Sequence, residues 1–161
     1  MTAIPRVGLG FDVHPFSDDA SRSLVLGGVV FEGERGLEGH SDADAAAHAI
    51  ADALLGAAGL GDLGQHFPDT DPQWRGADSL VLLREVAMQV RVAGFVVGNV
   101  DCTIVLEAPK LAPMRDQMEK NLSDAVDGHV NVKATRPESL GALGRGEGIA
   151  CLAVALVVPV D

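Results

Sequence analysis

The chain alternates short β-branched, apolar stretches with longer segments whose apolar residues recur every three to four positions, the two periods that separate strands from helices. Arg6–Phe11 and Ser23–Phe31 are short, apolar and spaced by glycines, which predicts strands, the second with glycines where it can turn back or bulge. From Asp42 to about Ala57 nearly every residue is alanine, leucine or isoleucine. This predicts a helix capped by Ser41, with Asp42 and Asp44 in its first turn where carboxylates favour the dipole. Asp78–Gly94 repeats the grammar, with Asp78 at the cap and Gly94 at the stop. Phe95–Leu106 turns β-branched, Ala108-Pro109-Lys110 breaks it, and Pro113 opens a third helix to about Val126. Val130–Ala134 and Gly148–Val158 close the chain as strands, the latter apolar enough to be covered on both faces. The order β-β-α-α-β-α-β-β predicts an α+β two-layer sandwich, a mixed β-sheet with helices packed on one face. No repeat, linker or low-complexity tract divides residues 1–161, so one domain is expected.

Composition narrows the function. Twelve Lys+Arg against twenty-three Asp+Glu leave a formal net charge of −11, which argues against a phosphate-neutralising surface for nucleic acid. The chain is 47% hydrophobic and 22% charged, a globular balance. It lacks the unbroken run of about 18 apolar residues that a membrane span needs. Met1–Arg6 has no basic cluster followed by an apolar region, so no secretory signal is expected. Cys102 and Cys151 lie in apolar strand segments, which predicts two core thiols in a reducing cytoplasm.

The candidate chemistry starts at Asp12-Val13-His14. In extended backbone, residues two apart project to one side, so a carboxylate and an imidazole share a space. Asp44, His48 and Asp52 form an i, i+4, i+8 polar stripe on the alanine-rich helix. Asp12, His14 and His48 together make a one-carboxylate, two-histidine set with a vacant fourth position, the stoichiometry of catalytic zinc. Asp44 or Asp52 is then placed to orient His48. Gly39-His40-Ser41-Asp42 enters the helix, where free N–H groups favour a phosphate one to two turns from His48. The loop Leu60–Pro72 is dense in Gly, Pro and Asp; its Asp62 suits sugar hydroxyls, and Phe67 is oddly aromatic for a solvated turn. Gly144-Arg145-Gly146-Glu147-Gly148 reads equally as a phosphate loop or as tight packing.

Gly10-Phe-Asp-Val-His14, Gly39-His-Ser-Asp42, Asp52–Gly56, Gly61-Asp62, Phe67–Pro72, Gly98–Asp101, Ala108-Pro-Lys110, Val132–Thr135 and Gly144–Gly148 stand in the order of one family. In them the chain resembles the 2-C-methyl-D-erythritol 2,4-cyclodiphosphate synthases, from about Arg6 to Val158. The resemblance implies a homotrimer with active sites between subunits. It also implies cyclisation of CDP-methylerythritol 2-phosphate, its 2-phosphate attacking the β-phosphate and CMP leaving. It assigns Zn²⁺ to Asp12, His14 and His48, and a Mg²⁺ or Mn²⁺ bridging the substrate diphosphate to Glu138. It makes His40, Asp42, Thr135 and Glu138 the catalytic set. His40, Ser41 and Asp42 surround the phosphates, Asp62 and Gly64 with Leu63 between them meet the ribose, and Phe67 and Asp69 meet the methylerythritol end. Ala108, Pro109, Lys110, Leu111, Ala134 and Thr135 form a cytidine pocket across the interface.

Two departures stand out. Arg136-Pro137 replaces a Thr-Thr pair, trading hydroxyls and one N–H for a guanidinium suited to phosphate. Ala142-Leu143 precedes Arg145, which in some relatives faces an axial channel for an isoprenoid diphosphate, where Phe-Thr is common. The same residues admit two rivals: a zinc-dependent phosphoester hydrolase, and a non-catalytic trimer with a structural metal.

Overall fold

The structure is a computed structural model and describes residues 4–160, so the first three residues of the amino-terminal segment read for a signal lie outside the described residues. A four-stranded mixed sheet runs in the order β1-β6-β4-β5, with β1 (Arg6–Pro15), β4 (Phe95–Val105), β5 (His129–Thr135) and β6 (Gly148–Pro159). β6 pairs antiparallel with β1 and β4, and β4 pairs parallel with β5. The parallel pair needs a crossover, and α4 (Arg115–Val126) supplies it. α1 (Ala45–Ala58) lies on β1 and β6, and α3 (Ser79–Val92) packs against α1 and α4. The helices occupy one face of the sheet, as the element order predicted.

Along β1 the residues alternate sharply. Gly8, Gly10, Asp12 and His14 face the helices, while Val7, Leu9, Phe11 and Val13 face away. The glycines are a packing requirement. A Cβ on Gly10 would lie 1.8 Å from the Ala49 carbonyl oxygen, and one on Gly8 2.0 Å from that of Ala53. Helix and strand therefore touch backbone to backbone along the Ala49–Ala53 face.

Several expectations change in detail. β1 runs four residues past Phe11, so Asp12 and His14 belong to the strand itself. Ser23–Phe31 divides into a separate hairpin, β2 (Leu24–Leu26) and β3 (Val29–Phe31), because Gly27 and Gly28 both take positive φ in its turn. α1 begins at Ala45 and is capped by Asp44, not by Ser41. Ala43 is left-handed at φ 59°, which ends any helical path from Asp42. Pro113 sits in a 3₁₀ turn, Ala112–Met114, ahead of α4. Two single helical turns, α2 (Leu63–His66) and α5 (Gly141–Gly144), are too short to show a period. Finally, β6 is covered on one face only within the chain: Leu152 and Val154 continue the uncovered apolar surface of Leu9 (66% exposed) and Phe11 (57%).

Candidate metal and phosphate site

Gly8 and Gly10 let α1 settle onto β1, and this brings His48 down beside Asp12 and His14. Asp12 Oδ2 lies 2.7 Å from His14 Nε2 and 3.2 Å from His48 Nδ1, and the two nitrogens are 3.4 Å apart. Ligand atoms about 2.0 Å from a tetrahedral zinc stand about 3.3 Å from one another; the two separations from His48 Nδ1 match this, and the shorter one between Asp12 and His14 would open by about 0.6 Å to admit the ion. Both rings are held from behind. His14 Nδ1 donates to the Glu38 carbonyl oxygen at 2.8 Å, which leaves Nε2 for the metal. His48 Nε2 lies 2.8 Å from Ser79 Oγ and 3.1 Å from Ser41 Oγ. Burial by itself would raise Asp12, but the hydrogen bonds and charges of His14 and His48 hold its carboxyl at about 2. Burial likewise pushes His14 down, and Asp12 outweighs it, so the imidazole titrates above its ordinary value.

The neighbouring carboxylates do other work than the stripe suggested. Asp44 is fully buried and accepts from Gly27 N, Gly28 N and Ala47 N, tying the hairpin turn to the start of α1. Burial, then the charge of Asp42, raises it to about 6 against those three donors. Asp52 accepts from Leu63 N. Neither contacts the His48 ring, whose Nε2 meets Ser79 Oγ, from α3, and Ser41 Oγ instead. Asp42 accepts from Asp44 N, Ser79 N and Ser79 Oγ, joining the loop before α1 to the start of α3. Because α1 starts at Ala45 rather than Asp42, His48 lies in its first turn, next to the Gly39–Asp42 loop.

A cavity of about 270 Å³ opens over the triad, with His14, His48, His40, Ser41, Phe67 and Asp69 in its wall. His40 Nε2 donates to the Asp71 carbonyl oxygen at 3.0 Å. Phe67 is held edge-on to Trp74, ring centroids 5.0 Å apart, which explains an aromatic in this loop. Asp62 caps α2, accepting from Gln65 N and Gln65 Nε2. Leu63 reaches the cavity, whereas Asp62 and Gly64 are not part of its wall.

A second, apolar cavity of about 200 Å³ gathers Pro109, Lys110, Leu111, Ala134, Thr135 and Arg136; the Ala108–Pro109 peptide is cis. Arg136 pairs with Glu107 at 3.0 Å, and the other oxygen of Glu107 accepts from Ser139 N. Glu138 and Ser139 both take positive φ, at 54° and 61°. Arg145 pairs with Glu147 at 2.8 Å. The register puts Val13 opposite Ala150, Ala150 opposite Val105 and Val105 opposite Thr135, so the two cavities share one end of the sheet. They lie at its opposite edges, β1 and β5, three strand spacings or about 14 Å apart. One chain does not bring Thr135 and Glu138 to the triad. Sequence reading missed Ser79, Trp74 and the Gly8–Gly10 contact; an Asp-Ser pair at a helix start signals a cap, and nothing in the spacing ties position 79 to 48.

Comparison with known proteins places this arrangement. The chain is 59% identical over 157 residues to the bifunctional enzyme IspD/IspF of Anaeromyxobacter sp. strain Fw109-5, covering 96% of this chain and 40% of that protein. The chain thus spans under half the length of that relative. It is 53% identical over 159 residues to the 2-C-methyl-D-erythritol 2,4-cyclodiphosphate synthase of Yersinia enterocolitica, covering 97% of this chain and 98% of that one. The solved structure of IspF from Plasmodium falciparum in complex with CDP superposes with a TM-score of 0.84 at 30% identity, over all of both chains. The sequence model of the YgbB family matches residues 5–158, and with near full-length identity to a synthase, the chain belongs to that family.

Proposed function

We propose that the chain is one synthase domain that converts 4-diphosphocytidyl-2-C-methyl-D-erythritol 2-phosphate to 2-C-methyl-D-erythritol 2,4-cyclodiphosphate and CMP, in the non-mevalonate route to isoprenoid precursors. The observation that carries this reading is the Asp12–His14–His48 cluster under a cavity walled by His40, Ser41 and Asp69, in a chain 53% identical to a full-length synthase. In the reaction a 2-phosphate oxygen forms a bond to the β-phosphorus. The bond from that phosphorus to the bridging oxygen breaks, and CMP departs with the oxygen and its electrons. No water is consumed and no protein nucleophile is required.

The protein's task is to hold two anionic groups in line and compensate their charge. A net charge of −11 leaves few side chains for that purpose. Zinc held by Asp12, His14 and His48 would supply a fixed positive charge that neutralises and aligns the reacting phosphates. Glu138, a single carboxylate on a turn, would hold a Mg²⁺ or Mn²⁺ that offsets the charge of the substrate diphosphate. His40 has Nε2 engaged, which leaves Nδ1 and the backbone of the Gly39–Ser41 loop for substrate. Asp42 fixes that loop against α3. Phe67 and Asp69 bound the methylerythritol end, with Asp62, Leu63 and Gly64 toward the ribose. Pro109, Lys110, Leu111, Ala134 and Thr135, with Ala108, form the cytidine pocket, where Thr135 meets phosphate and Arg136 reaches it on exchanging Glu107.

We assign the composite site to a homotrimer, each centre joining the β1 edge of one subunit to the β5 edge of the next. The exposed apolar side chains of Val7, Leu9, Phe11, Val13, Leu152 and Val154, gathered on one face of the paired strands β1 and β6, support this as a surface for a second copy to cover. Arg145, in the loop leading into β6, is paired with Glu147, and Ala142 stands where relatives with an axial isoprenoid diphosphate site commonly have Phe, so that site is not assigned to this chain. No described helix is long and apolar enough to cross a membrane. The free, buried Cys102 and Cys151 support a reducing, cytoplasmic setting. The test is ³¹P NMR with the substrate, Zn²⁺ and Mg²⁺. CMP and coupled cyclic-diphosphate signals, both lost with chelator, are expected; inorganic phosphate would establish a hydrolase instead.

A further inference from the structure

We propose that Ser79 is a positioning residue of the metal site: its hydroxyl links the Asp42 carboxylate to His48 and so fixes the tautomer in which His48 offers Nδ1 to the metal. The proposal rests on the reading of Asp12, His14 and His48 as metal ligands and does not depend on which substrate they meet. The argument is one of donor and acceptor capacity. An ionised carboxylate only accepts, so the Ser79 hydroxyl hydrogen is committed to Asp42, which also accepts from Ser79 N at 3.1 Å. The Ser79 oxygen is left as an acceptor, and the group 2.8 Å from it is His48 Nε2. That nitrogen must therefore carry the proton. In a neutral imidazole the other nitrogen then holds the lone pair, and His48 Nδ1 is the atom that stands 3.2 Å from Asp12 Oδ2.

Ser41 Oγ also lies 3.1 Å from His48 Nε2, but its hydroxyl hydrogen has no carboxylate to hold it, and it accepts from Ala43 N at 3.2 Å. Direction in the network comes from Asp42 through Ser79. The arrangement matches what His14 receives from the Glu38 carbonyl, so both rings present a chosen nitrogen before any metal arrives. It also links α3 to a site built otherwise from β1 and α1. Ser79 is 1% exposed, so water does not take its place.

The test compares wild type, Ser79→Ala, Ser79→Thr and Ser41→Ala by two readouts. The first is long-range ¹H–¹⁵N correlation of the histidine rings in the metal-free protein, which reports the tautomer directly. The second is Zn²⁺ affinity by competition with a chromophoric chelator, with thermal unfolding to confirm that each variant is folded. Ser79→Ala keeps the backbone bond to Asp42 and is expected to fold, to lose the Nε2–H preference of His48, and to bind zinc about 10- to 100-fold more weakly. Ser79→Thr, which keeps the hydroxyl, restores both, and Ser41→Ala has the smaller effect. A folded Ser79→Ala with wild-type tautomer and zinc affinity would overturn the role of Ser79. Wild-type protein that takes up no zinc would overturn the proposal through the metal reading instead.

Discussion

Asp12 stands between two imidazoles, and the pH behaviour of the metal-free protein follows from that placement. Its folded pKa, about 2, lies below the ordinary 3.8, so its contribution to stability is complete above pH 3.8 and is lost as pH falls toward 2. His14 titrates above 6.5, so its contribution is complete below pH 6.5 and is lost as pH rises through the higher folded value. The pair therefore stabilises the metal-free fold most between pH 3.8 and 6.5, by about 2 kcal/mol at most from the Asp12 shift. Asp44, raised to about 6, acts oppositely and removes stability as pH rises from 3.8 through 6, so the pair is read by difference: the gap in urea midpoint between chelator-treated wild type and Asp12→Asn should be widest between pH 3.8 and 6.5 and narrow on both sides. Zinc competes with the proton on His14, so zinc affinity should drop as pH falls through the His14 transition. His48→Ala should leave a folded oligomer whose CMP release falls by well over the about 100-fold that loss of an outer-shell partner costs; near wild-type turnover would remove His48 from the site. These ligands were legible from residue type and spacing alone. Ser79 was not, because its meaning depends on which helix start lies next to α1.

At the scale of elements, the site depends on how closely α1 approaches β1. Gly10→Ala would place a Cβ 1.8 Å from the Ala49 carbonyl oxygen, where backbone must move. Overpacking of this kind costs about 1–3 kcal/mol, and the displaced helix carries His48 away from Asp12. The expected result is a lower urea midpoint together with weaker zinc binding. Loss of stability with unchanged zinc affinity would show that the helix tilts about the site rather than away from it. The start of α1 teaches a related lesson. Ser41, Asp42 and Asp44 are all acceptable caps, and local propensity does not choose among them. Asp44 wins because its carboxylate also satisfies Gly27 N and Gly28 N of the hairpin turn, a contact between segments distant in sequence. The same limit applies to the stripe Asp44–His48–Asp52, which has the right period but sends its carboxylates to other partners.

For the whole molecule, the two cavities at opposite edges of the sheet define the assembly problem. If neighbouring copies complete each site, Phe11→Glu or Val154→Glu on the bare face should yield a monomer that binds zinc and does not release CMP. Equilibrium sedimentation and a zinc assay on the same sample decide this, and a wild-type monomer at working concentration would end the composite-site account. Hydrophobic period and turn residues determined the strands, the three long helices and the one-sided helical layer, because those features depend on residues near each other in the chain. Residue chemistry and motif order determined the family and the candidate metal cluster of Asp12, His14 and His48. Tertiary structure alone decided the cap of α1, the engagement of Arg136 by Glu107, the recruitment of Ser79 and the separation of the two cavities. The first three turn on which of several chemically equivalent partners comes within hydrogen-bonding distance, and the last on the strand order β1-β6-β4-β5; separation along the chain fixes neither.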